Sequence, residues 1–277
     1  MLGVDEAGRG PVLGPMIYGI AYCPVAYKDQ LEELGFADSK TLTHEARSSL
    51  LKILSSDLGK LGWSDISSGM LHRPPVNLNK QAQDATVLLI REVLRRGLEV
   101  TEVFVDALGP TKPYQTYLTS QFPGINFTVA AKADDKFKIV GAASVAAKVT
   151  RDAWIEGWLF EEDDREDASR WSSQFGSGYP SDPTTKAWIQ SSLDRTFGYP
   201  SFVRFSWTTV KVILEKDAHK VKWPVSHAPL YQYPTNASRR IDDGQASLVK
   251  SFESGSGADK DRCLVARDLG LSTICTL

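Results

Sequence analysis

The stretch Leu2-Gly3-Val4-Asp5-Glu6-Ala7-Gly8-Arg9-Gly10-Pro11-Val12-Leu13-Gly14-Pro15-Met16 ends a short apolar run in two adjacent carboxylates, with a glycine-punctuated loop directly after them. Neighbours on a strand point to opposite faces, so Asp5 and Glu6 can serve one site only where the strand ends. Gly8, Gly10 and Gly14 supply such an ending, because glycine admits positive φ and lets a ligand lie against bare backbone amides. Arg9 adds a planar fork of donors suited to a phosphate. The physical reading is a metal-holding carboxylate pair beside a loop that can touch a phosphate or a sugar. A dinucleotide fingerprint does not fit, since the glycine spacing is wrong and Pro11 and Pro15 suit a helix opening poorly. A Walker phosphate loop would end in Gly-Lys-Ser/Thr, and no such ending follows. An ordinary turn with incidental acids stays open until the rest of the chain is read.

At 277 residues and 42% hydrophobic, the chain is long enough for a full core, expected as one domain plus an extension. Cys23, Cys263 and Cys275 are odd in number and lack metal-ligand spacing, which points to a reducing compartment without a disulfide framework. No run approaches a membrane span and no secretory signal precedes the first strand. The net charge of −2 excludes a strongly basic coat for nucleic acid, yet it allows a local basic groove beside an acidic site. Asp5 stands close behind Met1, and central strands seldom begin a chain, so the sequence leaves open whether the natural N-terminus is longer.

Outward from the loop, Met16 to Cys23 reads as a second strand, and Ala37 to Leu42 as a polar loop. Within it, Ser39 and Lys40 either bind phosphate or form a turn and a solvated charge; spacing alone does not choose. Ala46, Leu50, Leu54 and Leu58 recur at helical spacing after a capping threonine, Thr41 or Thr43. Gly62 to Ser67 is a weak strand. Asn77 to Arg96 is a helix with Leu78, Ala82, Ala85, Leu89 and Val93 on one face, stopped by Gly97. Val100 to Val105 reads as a buried strand closed by Asp106, and Ile125 to Ala131 as another that runs into Asp134. The expected order is strand, strand, helix, weak strand, helix, strand, strand.

Ile139, Ala143, Ala147, Thr150, Trp154 and Trp158 trace one face of a long helix. Arg151 and Asp152 on it read as a structural ion-pair element. Glu161 to Asp167 is an acidic linker or helix end. Gly176-Ser-Gly178-Tyr179-Pro180 is a stiff loop that delivers one tyrosine. Thr184 to Leu193 looks helical, and Phe202-Val-Arg204-Phe-Ser-Trp207 leads into a last helix through Val210 and Ile213. Pro224 to Arg262 is rich in polar and turn-forming residues and reads as partly disordered. In it, Gln245 to Phe252 loosely resembles a sliding-clamp-binding motif, with Ser251 where such motifs carry an aromatic.

Three strand ends therefore carry acids: Asp5 with Glu6, Asp106, and Asp134. Strand ends on one edge of an α/β sheet converge, so the four carboxylates can share a cleft. At close range they would raise one another's pKa unless divalent cations neutralise them. All-oxygen ligation suits Mg²⁺ or Mn²⁺ and not Zn²⁺. A two-metal phosphoryl-transfer site is the expectation.

The segment Val4 to Pro15 resembles the signature of type 2 ribonuclease H, the ribonuclease HII family. The same order of motifs continues through Asp38-Ser39-Lys40, Val105-Asp106, Lys132-Ala133-Asp134, Ala142 to Lys148, Arg151-Asp152 and Gly176 to Pro180, covering Met1 to Trp207. The resemblance implies a ribonuclease H-like α/β fold, a mixed sheet flanked by helices with a helical C-terminal region. It implies that Asp5, Glu6, Asp106 and Asp134 are the catalytic, metal-binding acids. It also implies that Gly8, Arg9 and Gly10 sense a ribose 2′-hydroxyl through backbone contacts, and that Tyr179 touches that hydroxyl and packs on the next sugar. The 2′-hydroxyl is the group that separates RNA from DNA. Family members cut RNA·DNA hybrids, and duplex DNA 5′ of a single embedded ribonucleotide, leaving a 3′-hydroxyl and a 5′-phosphate.

Phe202 to Trp207 and the C-terminal extension most resemble eukaryotic members, whose catalytic chain works with two accessory subunits as a heterotrimer in the nucleus, in replication and ribonucleotide removal. Residues 1–217 are expected to form the catalytic domain and 218–277 a partly disordered, subunit-docking extension. The alternatives from other classes are a non-catalytic scaffold that kept the fold, and a nuclease or transposase of the same fold class acting on DNA.

Overall fold

A computed structural model describes residues 1–36, 39–56, 61–68, 77–107, 109–160, 162 and 170–219. Asp38, the acidic run apart from Glu162, the clamp-like segment 245–252 and all of 220–277 lie outside the described residues. Strand β1 (Leu2–Ala7) turns through the glycine loop into β2 (Met16–Tyr22), antiparallel with Asp5 opposite Gly19. A 3₁₀ turn and α1 (Lys28–Glu33) follow, then α2 (His44–Ser56). The weak strand of the sequence is a full one, β3 (Gly62–Ser68), antiparallel to β2. Helix α3 (Leu78–Arg95) crosses to β4 (Glu102–Asp106), parallel to β1. From there α4 (Thr111–Gln121) leads to β5 (Asn126–Ala130), parallel to β4. The sheet order is β3-β2-β1-β4-β5, so the strand that opens the chain is central.

Helices α5 (Ala133–Lys136), α6 (Lys138–Glu156), α7 (Pro183–Ser191) and α8 (Thr208–Asp217) complete the unit Met1–His219. The expected order of elements lacked α1, α4 and the short α5. Helix α4 buries only Tyr114 and Leu118 and carries Pro113 in its first turn, so no apolar stripe marks it. Asn77 caps α3 as its side chain accepts from the Asn79 amide at 2.8 Å, and Gly97 leaves the helix at φ 81°.

Both faces of β1 are covered. Leu2 and Val4 join residues of α3 and α4 in one core cluster, while Ile139, Val140 and Ala143 of α6 pack on the other face with α1 and α2. Helix α6 comes unusually near, because its buried side is built of Gly141, Ala142, Ala143, Ala146 and Ala147. A Cβ on Gly19 would stand 2.5 Å from the Ala143 carbonyl, and one on Gly3 would overlap the Ile139 carbonyl. The expected face of α6 holds over its first half only, since Trp154 is 52% exposed. A third cluster, with Leu13, Trp171, Phe175, Trp188, Phe202 and Val210, joins the loop after β1 to α7 and α8.

Candidate active site

Parallel pairing of β1 with β4 runs Leu2↔Val103 to Val4↔Val105 and stops there. Asp5 and Asp106 are the next residues on each strand, side by side at one edge of the sheet. Strand β1 continues to Ala7 against β2, but on its β4 side it has ended at Asp5. That open side lets both adjacent acids face one place. Ligand oxygens of Asp5, Glu6 and Asp106 all lie within 4.8 Å of one another.

Asp134 does not join that group: it sits one element further on, in the first turn of α5, buried at 6% exposure. Its Oδ1 accepts from the Asp135 amide at 3.1 Å. Asp106 Oδ1 accepts from the Ala133 amide at 2.7 Å and so ties the β4 acid to the start of α5. Lys132, just before it, adopts φ 53° and ψ 51°, the one non-glycine residue with positive φ among the described residues.

Crowding and burial show in the titration of the acids. Burial, then the charges of Glu6 and Asp106, hold the Asp5 carboxyl well above the usual carboxylate range. Burial and Asp106 push Glu6 up to about 7, opposed by Arg9 and Lys40. A divalent cation removes this repulsion, and three carboxylates are the oxygen donors that Mg²⁺ or Mn²⁺ takes. Ser39 is buried, and Ser144 Oγ donates to its hydroxyl at 2.9 Å, whereas Lys40 is exposed and its charge reaches Glu6.

The glycine loop is held from behind by two arginines. Arg204, 1% exposed, donates from Nε to Gly14 O at 2.9 Å and from its terminal nitrogens to Gly8 O at 2.6 Å, Arg9 O at 3.2 Å and Pro11 O at 2.7 Å. Its amide donates to Val12 O at 2.9 Å, and its guanidinium lies 4.9 Å from the Trp207 ring centre. Arg151 donates to Pro15 O at 3.2 Å and Leu13 O at 3.1 Å. Burial, and then Arg151, lowers the Arg204 guanidinium to about 9, still charged at neutral pH. Arg151 and Asp152 are thus not a pair: Asp152 takes Lys148 at 2.5 Å and Arg47 at 3.5 Å. Adjacent helical residues point about 100° apart, which sends them to different partners. Gly8, at φ 86°, has no room for a side chain, since a Cβ would overlap the Arg151 guanidinium.

Tyr179 reaches the same loop from the other side. Gly178 O accepts from the Val12 amide at 2.7 Å, and the Tyr179 Cε1 lies 3.1 Å from the place of a Cβ on Gly10. The tyrosine is 45% exposed. Asp182 accepts from the Ser177 amide and hydroxyl, both at 2.6 Å, and from the Thr184 amide at 2.9 Å, which caps α7. Thr185 Oγ1 accepts from the Gly178 amide at 2.9 Å. Arg9 adds a bond from its side chain to Asn79 Oδ1 at 2.6 Å.

Arg204, Asp182 and Thr185 carry no sign of this work in the sequence except one: Arg204 is set between Val203 and Phe205 in an otherwise apolar run. Cys23 is free and buried, and no helix among the described residues is long and apolar enough to cross a membrane.

Residues 2–210 match the family model for ribonuclease HII. The chain belongs to the ribonuclease HII family. It is 47% identical over 235 residues to a ribonuclease H2 subunit of Rattus norvegicus, covering 82% of this chain and 77% of that one. The corresponding protein of Homo sapiens is 46% identical over 230 residues, covering 80% and 75%. Among solved structures, ribonuclease H2 from Pyrococcus horikoshii superposes with a TM-score of 0.61 at 30% identity, over 77% of this chain and 96% of that one. The ribonuclease HII of Archaeoglobus fulgidus, solved with PCNA, gives 0.58 at 27% identity over 75% and 94%. The fold is ribonuclease H-like, and the chain is a ribonuclease, a hydrolase.

Proposed function

We propose that this chain is a divalent-metal-dependent endoribonuclease that hydrolyses the RNA strand of RNA·DNA hybrids and cuts duplex DNA 5′ of a single ribonucleotide. The observation that carries this reading is one juxtaposition: the strand that brings Asp5 and Glu6 to Asp106 runs straight into the braced loop on which Tyr179 lies. Asp5, Glu6 and Asp106, with Asp134 from α5 as the fourth acid, are the residues that would hold Mg²⁺ or Mn²⁺, which supplies charge neutralisation and an activated water when bound. The protein's own part is positioning. Arg204 and Arg151 take the loop carbonyls from behind, which leaves the Gly8 to Gly10 backbone set as a fixed surface for a sugar. Tyr179 closes that surface with a hydroxyl suited to a ribose 2′-hydroxyl. Arg9 and Lys40 bring positive charge beside Glu6, where a phosphate of the cut strand would lie.

By likeness to these relatives, which are named as one subunit of ribonuclease H2, the chain works in a multi-subunit complex; two accessory subunits are what the resemblance to eukaryotic members implies. Residues 218–277 are its docking extension, and the nucleus is its place of action, in replication and ribonucleotide removal. The clamp contact of the Archaeoglobus protein is not carried over, because Ser251 departs from such motifs. The test is a labelled duplex containing one ribonucleotide, incubated with Mg²⁺, with Mn²⁺ and with chelator. A single cut 5′ of the ribonucleotide that needs the cation is expected. Equal cutting of an all-DNA duplex, or cutting in chelator, overturns the reading. For assembly, deleting residues from Cys263 onward should lose the co-purifying subunits while the acid-bearing unit stays folded; unchanged co-purification overturns that part.

A further inference from the structure

The turn from Ser39 to Leu42 has an arginine brace of its own. Arg47, in the first turn of α2, reaches back to the residues just ahead of its helix. Its Nη1 donates to Ser39 O at 2.9 Å and to Leu42 O at 2.7 Å. Its Nη2 faces Asp152 Oδ2 at 3.5 Å, and Lys148 takes the other oxygen of that carboxylate at 2.5 Å. The Arg47 and Asp152 side chains are only 12% and 22% exposed. A second tie joins the same turn to α6, since Ser144 Oγ donates to Ser39 Oγ at 2.9 Å, both residues buried. The residue before Asp152 on α6 is Arg151, which holds Leu13 O and Pro15 O of the glycine loop. Two consecutive residues of one helix, turned about 100° apart, thus end in two different loops. The spacing between those loops is set by α6.

We propose that Asp152 and Arg47 are positioning residues for duplex binding. Through them α6 holds the Ser39–Leu42 turn in register with the glycine loop, so that Lys40 meets a backbone phosphate of the duplex whose sugar lies on Gly8 to Gly10. The proposal rests on the reading of Lys40 and the glycine loop as substrate contacts. Lys40 is the residue of that turn directly after buried Ser39, and it is exposed. The Ser39 carbonyl belongs to the planar peptide that carries the Lys40 amide, so the Arg47 bond fixes the backbone from which Lys40 leaves. A lysine is a point charge on a flexible four-carbon stem, and its reach is useful only where its base is fixed. Asp152 has a local task here. An acid near a polyanion repels it, but this one keeps the Arg47 fork turned onto the two carbonyls.

The experiment is binding of a fluorescent duplex with one ribonucleotide to the full chain in chelator, read by anisotropy over a salt series. The variants are Lys40→Ala, Arg47→Lys, Asp152→Asn and the double variant Lys40→Ala/Asp152→Asn, with thermal melts alongside. Lys40→Ala should weaken binding several-fold and lower the slope of log affinity against log salt by about one, the loss of one phosphate contact. Asp152→Asn should weaken binding and lower the slope in the same sense, although it removes a negative charge. Combined with Lys40→Ala it should weaken binding no further, because it acts through Lys40. Charge alone predicts the opposite sign, tighter binding on loss of an acid. Unchanged or tighter binding by Asp152→Asn, whatever its melting temperature, therefore overturns the positioning role, as do additive losses in the double variant. Arg47→Lys keeps the charge without the fork and should also bind more weakly; wild-type affinity there overturns the brace. Wild-type affinity and slope in Lys40→Ala overturn the reading of Lys40 as a phosphate contact, and the proposal with it. No binding by wild type overturns the duplex surface itself.

Discussion

The Tyr179 ring stands against the bare Cα of Gly10, its Cε1 3.1 Å from where a Cβ would be. No positive φ constrains Gly10, so alanine there meets only the ring and pushes it by a few tenths of an ångström. Gly10→Ala should leave the melting temperature nearly unchanged and lower kcat/KM on the single-ribonucleotide duplex. Tyr179→Phe removes one neutral hydrogen bond, a loss of about 1 kcal/mol, up to ~3 if the ribose hydroxyl is left buried and unpaired. Tyr179→Ala also removes the ring and should cost more. Long RNA·DNA hybrids, with many registers, should suffer less than the single-ribonucleotide duplex. Equal kcat/KM for wild type and all three variants would remove Tyr179 from recognition.

Arg204 meets four loop carbonyls with one planar group, and lysine, a point charge with a single nitrogen, cannot span them. Arg204→Met should destabilise the chain by at least about 3 kcal/mol, since each buried acceptor left unpaired costs roughly 1–3 kcal/mol. Arg204→Lys should fall between. Urea denaturation gives the stability, and kcat/KM should fall in both variants. Arg204→Met melting like wild type would show that the loop holds its shape without the brace.

The acids predict a pH dependence with a definite sign. Glu6 is raised from 4.5 to about 7, so the folded chain holds a proton there that the unfolded chain has released. Stability from this group is full below pH 4.5 and is lost as pH rises through about 7. The loss amounts to at most about 3 kcal/mol. In chelator, wild type should therefore lose more stability between pH 5 and 8 than Glu6→Gln. Saturating Mn²⁺ should reverse the trend over the same window, since the cation binds the deprotonated acids. Parallel melting curves of wild type and Glu6→Gln across that range would contradict the shift.

Lys132 and Asp134 make a paired prediction. The left-handed conformation at Lys132 costs a side-chain-bearing residue about 1–2 kcal/mol, most for a β-branched one. Lys132→Gly should be neutral or stabilising and Lys132→Val destabilising, read by thermal melts. Asp134→Asn should reduce turnover by orders of magnitude with stability kept or raised, because a charge leaves an acidic site. Near-normal activity of Asp134→Asn at saturating Mg²⁺ would remove it from the ligand set.

Strands β1, β2, β4 and β5 and helices α3 and α6 were legible because their apolar residues are continuous or periodic, and the acids because each closes or follows a strand. What could not be read is tertiary. Helix α4 has no stripe to announce it. Asp5, Glu6 and Asp106 meet because β1 loses its β4 neighbour at one residue, and pairing registers are not written locally. Arg151 and Asp152 look like partners only on paper, as the helix turns them apart. The apolar neighbours Val203 and Phe205 mark Arg204 as buried, but nothing local to it says that its partners are four carbonyls of the glycine loop.

The brace has a consequence for synthesis. Arg204 stands 196 residues after Gly8, the loop residue it holds. A ribosome therefore delivers Asp5, Glu6, Asp106 and Asp134 well before the group that sets the sugar-facing backbone, and contacts of such separation form late. A nascent chain halted short of Arg204 carries its acids without the braced loop. The selective surface is completed only when translation of the catalytic unit is nearly finished, so order of emergence separates the means of cutting from the means of choosing.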